Sequence, residues 1–183
     1  GGSVLSADPA LTSITLVTTC LAAAAGGIGA ALFTWARYKS LDVTMFMNGV
    51  LGGLVGITAG ADLMLPGTAI IIGLFAGVIV VLSISFMDKC KLDDPVGAIP
   101  VHLFCGIWGT LAVGIFGEKA GFDQFMVQLA CVGIAGVFCV VGATIITLLV
   151  KSIAGLRVDD KEEAVGLDIA EHGSEAYGDF SMK

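Results

Sequence analysis

His102 stands seven residues beyond Pro95, in a stretch (95–117) that contains no Asp, Glu, Lys or Arg. If that stretch is helical, the imidazole lies about 10 Å into it. An imidazole can accept one hydrogen bond and donate another, which suits proton relay or the handling of a small polar solute. An ionisable group inside an apolar crossing is a functional candidate by default, and a packing histidine bonded to a neighbouring carbonyl or hydroxyl is the alternative. The other histidine, His172, belongs to a charged C-terminal tail and cannot meet His102 inside a bilayer.

Asn48 and Thr58 share another uncharged run, ten residues and therefore about 15 Å apart along a helix. Both could line a pore, but spacing alone favours bonds between helices. Trp108 lies six residues past His102, too deep for an interfacial belt, so its indole N–H needs a partner. Trp35, beside Arg37 and Tyr38, fits an anchor at the membrane surface. Asp93-Asp94-Pro95 has the make-up of a helix start, with acids complementing the exposed N–H groups. The chain has no glycine-rich phosphate loop, Ser/His/Asp set or HExxH pattern, so it reads as a non-enzyme with no cofactor or metal. Five cysteines without a C-x-x-C pair (Cys20, Cys90, Cys105, Cys131, Cys139) read as buried structural thiols.

The elements that must position these residues follow from the charge-free runs. These are 9–36, 43–61, 63–87, 95–117 and 124–150, between 19 and 28 residues long. About 20 helical residues cross roughly 30 Å of hydrocarbon, so each run is predicted to span a bilayer. Period-2 alternation in segments of about ten is absent from the sequence, which argues against a β-barrel. Leu65-Pro66-Gly67 is expected to turn the second span tightly into the third. The predicted fold is all-α, a polytopic membrane helix bundle over 1–150 with a cytoplasmic tail over 151–183.

Of nine basic residues, eight fall after spans one, three and five, leaving only Lys119 on the other face. By the positive-inside rule, the N-terminus is outside and the tail cytoplasmic. Many of the 26 glycines recur four apart, as in Gly49 and Gly53, Gly52, Gly56 and Gly60, or Gly73 and Gly77. Such stripes bring helix backbones close together, and the other possibility is the wall of a narrow conduit. Composition agrees with a membrane chain: 56 % hydrophobic, 14 % charged, mean hydropathy +0.96. Of the net charge of −7, the tail supplies −4 from eight acids and four bases. With no basic face, a nucleic-acid partner is not expected.

Several runs are similar to one known family. DDPVGAIPVHLFCGIWGTLAVGIF (93–116) resembles the helix of the ammonium transporter (Amt/Mep/Rh) family that carries one of two pore histidines. NGVLGGLVGITAG (48–60) resembles its glycine-rich pore helix, and residues 155–180 its cytoplasmic tail. GGSVLSAD (1–8) is similar to the segment after the family's sixth helix. The resemblance covers helices seven to eleven of an eleven-helix fold, and Gly1 at the start of a family-internal motif suggests a fragment, a processed piece or half of a split protein.

That resemblance implies movement of ammonium or ammonia through a histidine-lined apolar pore, of which this chain supplies the C-terminal half. His102 would be one of the paired histidines, Asn48, Leu51 and Ala98 would line the pore near its cytoplasmic exit, and Ser3 would sit at the external vestibule. Thr58 falls on a polar position of the same helix as Asn48. Arg157, Gly166, Asp168 and Tyr177 would belong to a regulatory tail that communicates between subunits and helps a PII signal protein dock. A homotrimer in the plasma or bacterial inner membrane is the implied assembly. The rival is a non-transporting regulatory or sensor subunit that assembles with full-length relatives.

Overall fold

The computed structural model describes residues 4–176, which divide into two compact units after Ile134. In the first unit each predicted run is helical, and the boundaries have local causes. Helix α1 (Pro9–Tyr38) opens with Asp8 accepting the Ala10 N–H at 3.1 Å and with proline at its first position, where a missing N–H is harmless. Lys39 ends it in the left-handed conformation, φ 58°, donating its N–H to the Trp35 carbonyl. Asp42 caps α2 (Val43–Thr58) by accepting the Met45 N–H at 2.9 Å.

Two expectations change here. Helix α3 runs Pro66–Lys89, so Pro66 and Gly67 start a helix and the chain reverses before them, through a turn over 59–65. Proline at a first helical position is preorganised in φ, which explains the shift. Second, α2 has 16 residues, about 24 Å, and the helical stretch Pro100–Ile115 is of the same class. Only α1, α3 and α5 (Phe122–Ile153) have full crossing length among the described residues. The end of the second run goes into the turn over 59–65, and the two ends of the fourth go into connections, one around Gly97 at φ 73° and one around Gly117 at φ 82°.

Glycine lets α1, α2 and α3 touch backbone to backbone. A Cβ on Gly53 or Gly73 would strike the Ala22 carbonyl, and one on Gly77 would strike that of Gly26. On its other side α2 presents Gly52 to Val80 and to Cys105 Sγ, and Gly56 to Ala76 and Trp108. These stripes therefore serve packing. Around these contacts, Ala22, Ile57, Met64, Ile72, Ala112 and Val113 form one buried cluster; Ala76, Val80, Val101 and Cys105 form another.

Polar side chains are mostly satisfied by main chain. Thr18 Oγ1 donates across to the Ala61 carbonyl at 2.6 Å, while Tyr38 Oη and Ser85 Oγ share a bond of 2.8 Å. Thr19 Oγ1 is buried without a partner among the described residues. All five cysteines are unpaired, and only Cys105 is buried; the expectation of buried thiols fails for Cys20, Cys90, Cys131 and Cys139. Helix α5 has no buried residue at all.

The second unit holds the end of α5 and two short helices, α6 (Asp160–Val165) and α7 (Leu167–His172). Arg157 pairs with Glu163 through Nε at 3.1 Å and Nη2 at 2.7 Å.

Candidate functional site

His102 is carried on a π-helical turn, Pro100–Phe104, that leads directly into α4 (Cys105–Ile115). Its closing bond runs from the Cys105 N–H to the Pro100 carbonyl, five residues back. The wider turn has a consequence for the faces. Gly97, Val101, Cys105 and Gly109, spaced by four, are all buried, whereas Ala98 and His102 are both exposed. Gly97, at φ 73°, precedes the helix; within it a regular α-turn drifts about 40° over each four-residue step, and the wider turn between Val101 and Cys105 offsets that drift so that Val101, Cys105 and Gly109 share one inward stripe. Such turns are frequent at functional sites.

One residue organises the start of this helix. The Asp94 carboxylate accepts the Ala98 N–H at 2.9 Å and the Ile99 N–H at 2.8 Å, and its main-chain carbonyl accepts the Gly97 N–H at 3.2 Å. The helix-start expectation for Asp93-Asp94-Pro95 is met by Asp94. Further along, Trp108 Nε1–H donates to the Ile72 carbonyl at 3.0 Å, and Cys105 Sγ–H points to the Ala76 carbonyl at 3.5 Å. Trp108 thus finds the partner its depth demanded, on α3. Its ring also packs against Phe75, with centroids 5.6 Å apart and tilted at 49°.

On α2, Leu51, Val55 and Thr58 form a stripe whose outer members are exposed. Ala98, His102 and Gly106 form the corresponding stripe on the helix beside it. They adjoin where Gly106 faces Val55, whose Cγ1 would lie 3.9 Å from an added Cβ. Four of the expected path residues (Leu51, Thr58, Ala98, His102) therefore lie on open faces of two packed segments. Asn48 differs: it is 7 % exposed, and its Nδ2 would stand 2.8 Å from a Cβ on Gly97. It borders a recess of about 320 Å³ at the end of the bundle, together with Asp42, Asp88, Asp93 and Asp94.

The bonds between helices expected of Asn48 and Thr58 do not form among the described residues. Thr58 Oγ1 donates to the Leu54 carbonyl of its own helix at 2.6 Å, a satisfaction open to any threonine in a helix. Spacing could not distinguish the two outcomes. Sequence reasoning also passed over Val55 and Gly106 as the point where the stripes meet, since neither residue type signals chemistry. Ser3 and Tyr177 lie outside the described residues.

In the tail, Gly166 separates α6 from α7 at φ 98°, a value that favours glycine. Asp168 accepts the Ala176 N–H at 2.9 Å, and this bond chiefly holds its carboxyl below the usual aspartate value. The Glu163 carboxylate, bonded to Arg157, raises the guanidinium pKa further.

Long apolar helices and backbone-close packing define a multi-pass α-helical membrane protein. The chain belongs to the Ammonium Transporter Family, whose profile matches residues 1–177. It is 41 % identical over 198 aligned positions to the ammonium transporter Amt2 of Archaeoglobus fulgidus, an alignment covering 98 % of this chain and 42 % of that protein. A putative ammonium transporter of Synechocystis is 43 % identical, with 91 % and 38 % covered. A solved structure described as a Sensor Amt Protein superposes with a TM-score of 0.84 at 31 % identity, covering 91 % of this chain and 43 % of that one. Mep2 of Candida albicans shares the fold, with a TM-score of 0.77 at 24 % identity, covering 83 % and 38 %. The chain spans about two-fifths of the length of these curated relatives.

Proposed function

We propose that this chain supplies the C-terminal part of a pathway for ammonium or ammonia, lined by His102, Ala98, Leu51, Thr58 and Asn48. The observation that carries this reading is the meeting of two open stripes at Val55 and Gly106, one bearing His102, in a member of the ammonium transporter family. An apolar path excludes a hydrated cation because desolvation penalises the charged form, while an imidazole offers both a donor and an acceptor to a small neutral solute. Residues Leu51 and Ala98 would give the path its apolar width, with Thr58 and Asn48 towards its two ends and Ser3 at the external vestibule. The work is transport, with no bond made or broken in a substrate beyond proton transfer.

In this reading 1–150 forms the membrane part, with the N-terminus outside, and 151–183 a cytoplasmic tail. Arg157, Gly166, Asp168 and Tyr177 would regulate the pore between subunits of a homotrimer and contribute to docking of a PII signal protein. The test is His102→Ala in the full natural chain, with uptake of ammonium and methylammonium measured against potassium. A fall in rate or a loss of selectivity is expected, and unchanged rate and selectivity would sink the reading.

A second reading, a non-transporting sensor or regulatory subunit, is favoured by the likeness to the Sensor Amt Protein. Binding of ammonium by the full chain without flux through it would decide for that alternative.

A further inference from the structure

We infer that Asp94 is a positioning residue for His102. The inference presupposes that His102 lines the path, and it rests on how the start of the helix that carries that side chain is held. In the first turn of this helix the available donors are the N–H groups of Gly97, Ala98 and Ile99, and all three go to Asp94, one to its carbonyl and two to its carboxylate. Pro100 follows, and it has no N–H to give. The next main-chain bond is from the Val101 N–H to the Gly97 carbonyl at 3.1 Å. The three N–H groups that precede Pro100 are therefore all held by one residue, through its side chain and its own carbonyl.

The opposite end of the turn is anchored independently. Cys105 Sγ–H at 3.5 Å from the Ala76 carbonyl, and Trp108 Nε1–H at 3.0 Å from that of Ile72, fasten α4 to α3. His102 sits between these two anchorages, on the π-turn itself. A π-turn can relax to an α-turn by shifting one residue of register, which would swing the imidazole away from the Ala98 face. Asp94 opposes that relaxation by fixing the first turn's orientation. The change Asp94→Asn would retain one acceptor oxygen but set an NH2 donor against the other N–H.

The test uses the full natural chain and four proteins: the natural sequence, D94N, H102A and D94N/H102A. Two readouts are needed, transport of ammonium with its pH profile and the NMR signals of the ring-labelled His102 imidazole, assigned by their loss in H102A. D94N is expected to lower transport about tenfold, below the 10²-fold that a 1 Å misplacement can cost, and to shift both the pH profile and the ring signals. In the double variant D94N should add nothing to H102A, because the two changes act through one group. D94S, whose hydroxyl can accept one of the two N–H groups, should fall between.

Unchanged ring signals in D94N would overturn the inference, as would a tenfold loss that persists in the H102A background. Loss of folded protein in both D94N and D94S would also overturn it, by assigning Asp94 to folding. The presupposed role of His102 fails separately: H102A would then leave transport intact, while the ring signals would still report whether Asp94 positions the imidazole.

Discussion

The indole N–H of Trp108 donates to the main-chain carbonyl of Ile72 at 3.0 Å, fastening α4 to the second turn of α3. Bonds of this kind between membrane helices are worth about 0.6 kcal/mol on average, because the competing state also finds partners. Trp108→Phe is therefore expected to lower stability by about 0.6–1.7 kcal/mol, and Trp108→Ala, which also empties the space beside Phe75, by about 3–5 kcal/mol. Unfolding in mixed detergent micelles measures both, and equal losses would show that the ring's volume contributes nothing.

Close backbone contact makes a second prediction asymmetric among glycines. Gly77→Ala pushes a methyl into the Gly26 carbonyl, while Gly67→Ala meets nothing within 4 Å. The first should cost about 1–3 kcal/mol by overpacking, and the second should leave stability within about 1 kcal/mol of the natural chain or raise it. The same unfolding measurement separates them.

Acidification should loosen the tail turn at Asp168. Its carboxyl is held below the ordinary aspartate value, so the ionised form favours the ordered turn; that support is fully present above the unfolded value, about 3.9, and is lost as pH falls through the folded one. Exchange of the Ala176 amide proton, referenced to intrinsic rates, should accelerate below about pH 4 in the natural chain. In Asp168→Asn that pH dependence should vanish.

Disruption of the Arg157–Glu163 pair should be felt locally. Both groups are exposed, with side chains 74 % and 48 % accessible, so water and salt screen their attraction. Arg157→Gln is expected to reduce amide protection around α6 and leave global unfolding of the membrane helices unchanged. Raising salt to about 1 M, where the Debye length is roughly 3 Å, should reproduce the effect in the natural chain.

Liposomes containing this chain alone should show no selective ammonium flux. Leu51, Thr58, Ala98 and His102 lie on uncovered faces, and the chain spans about two-fifths of its curated relatives. Selective flux from the isolated chain would contradict the idea that it forms only part of the path wall.

Much of the helical layout was legible because charge-free runs and helix starts obey local rules. Asp8, Asp42 and Asp94 each cap the helix that follows them, and the need of Trp108 for a partner follows from its chemistry alone. The residues proposed to line the path were legible chiefly through family resemblance. What escaped was set by tertiary competition. Thr58 could bond within its helix or across to another, and sequence carries no preference; Thr18, not singled out, is the threonine that reaches another segment. The π-turn at Pro100–Phe104 was equally invisible, since it arises from holding Val101, Cys105 and Gly109 against neighbours that only the fold supplies.

The interlocked glycine faces of α1, α2 and α3 also bear on the order of assembly during synthesis. These three helices occupy one contiguous stretch from Pro9 to Lys89, and their mutual contacts need nothing later in the chain. They are thus equipped to dock as soon as Lys89 leaves the ribosome, giving α4 a prepared surface on which the carbonyls of Ile72 and Ala76 already wait. A ribosome stalled just after that point should hold a three-helix unit already resistant to protease.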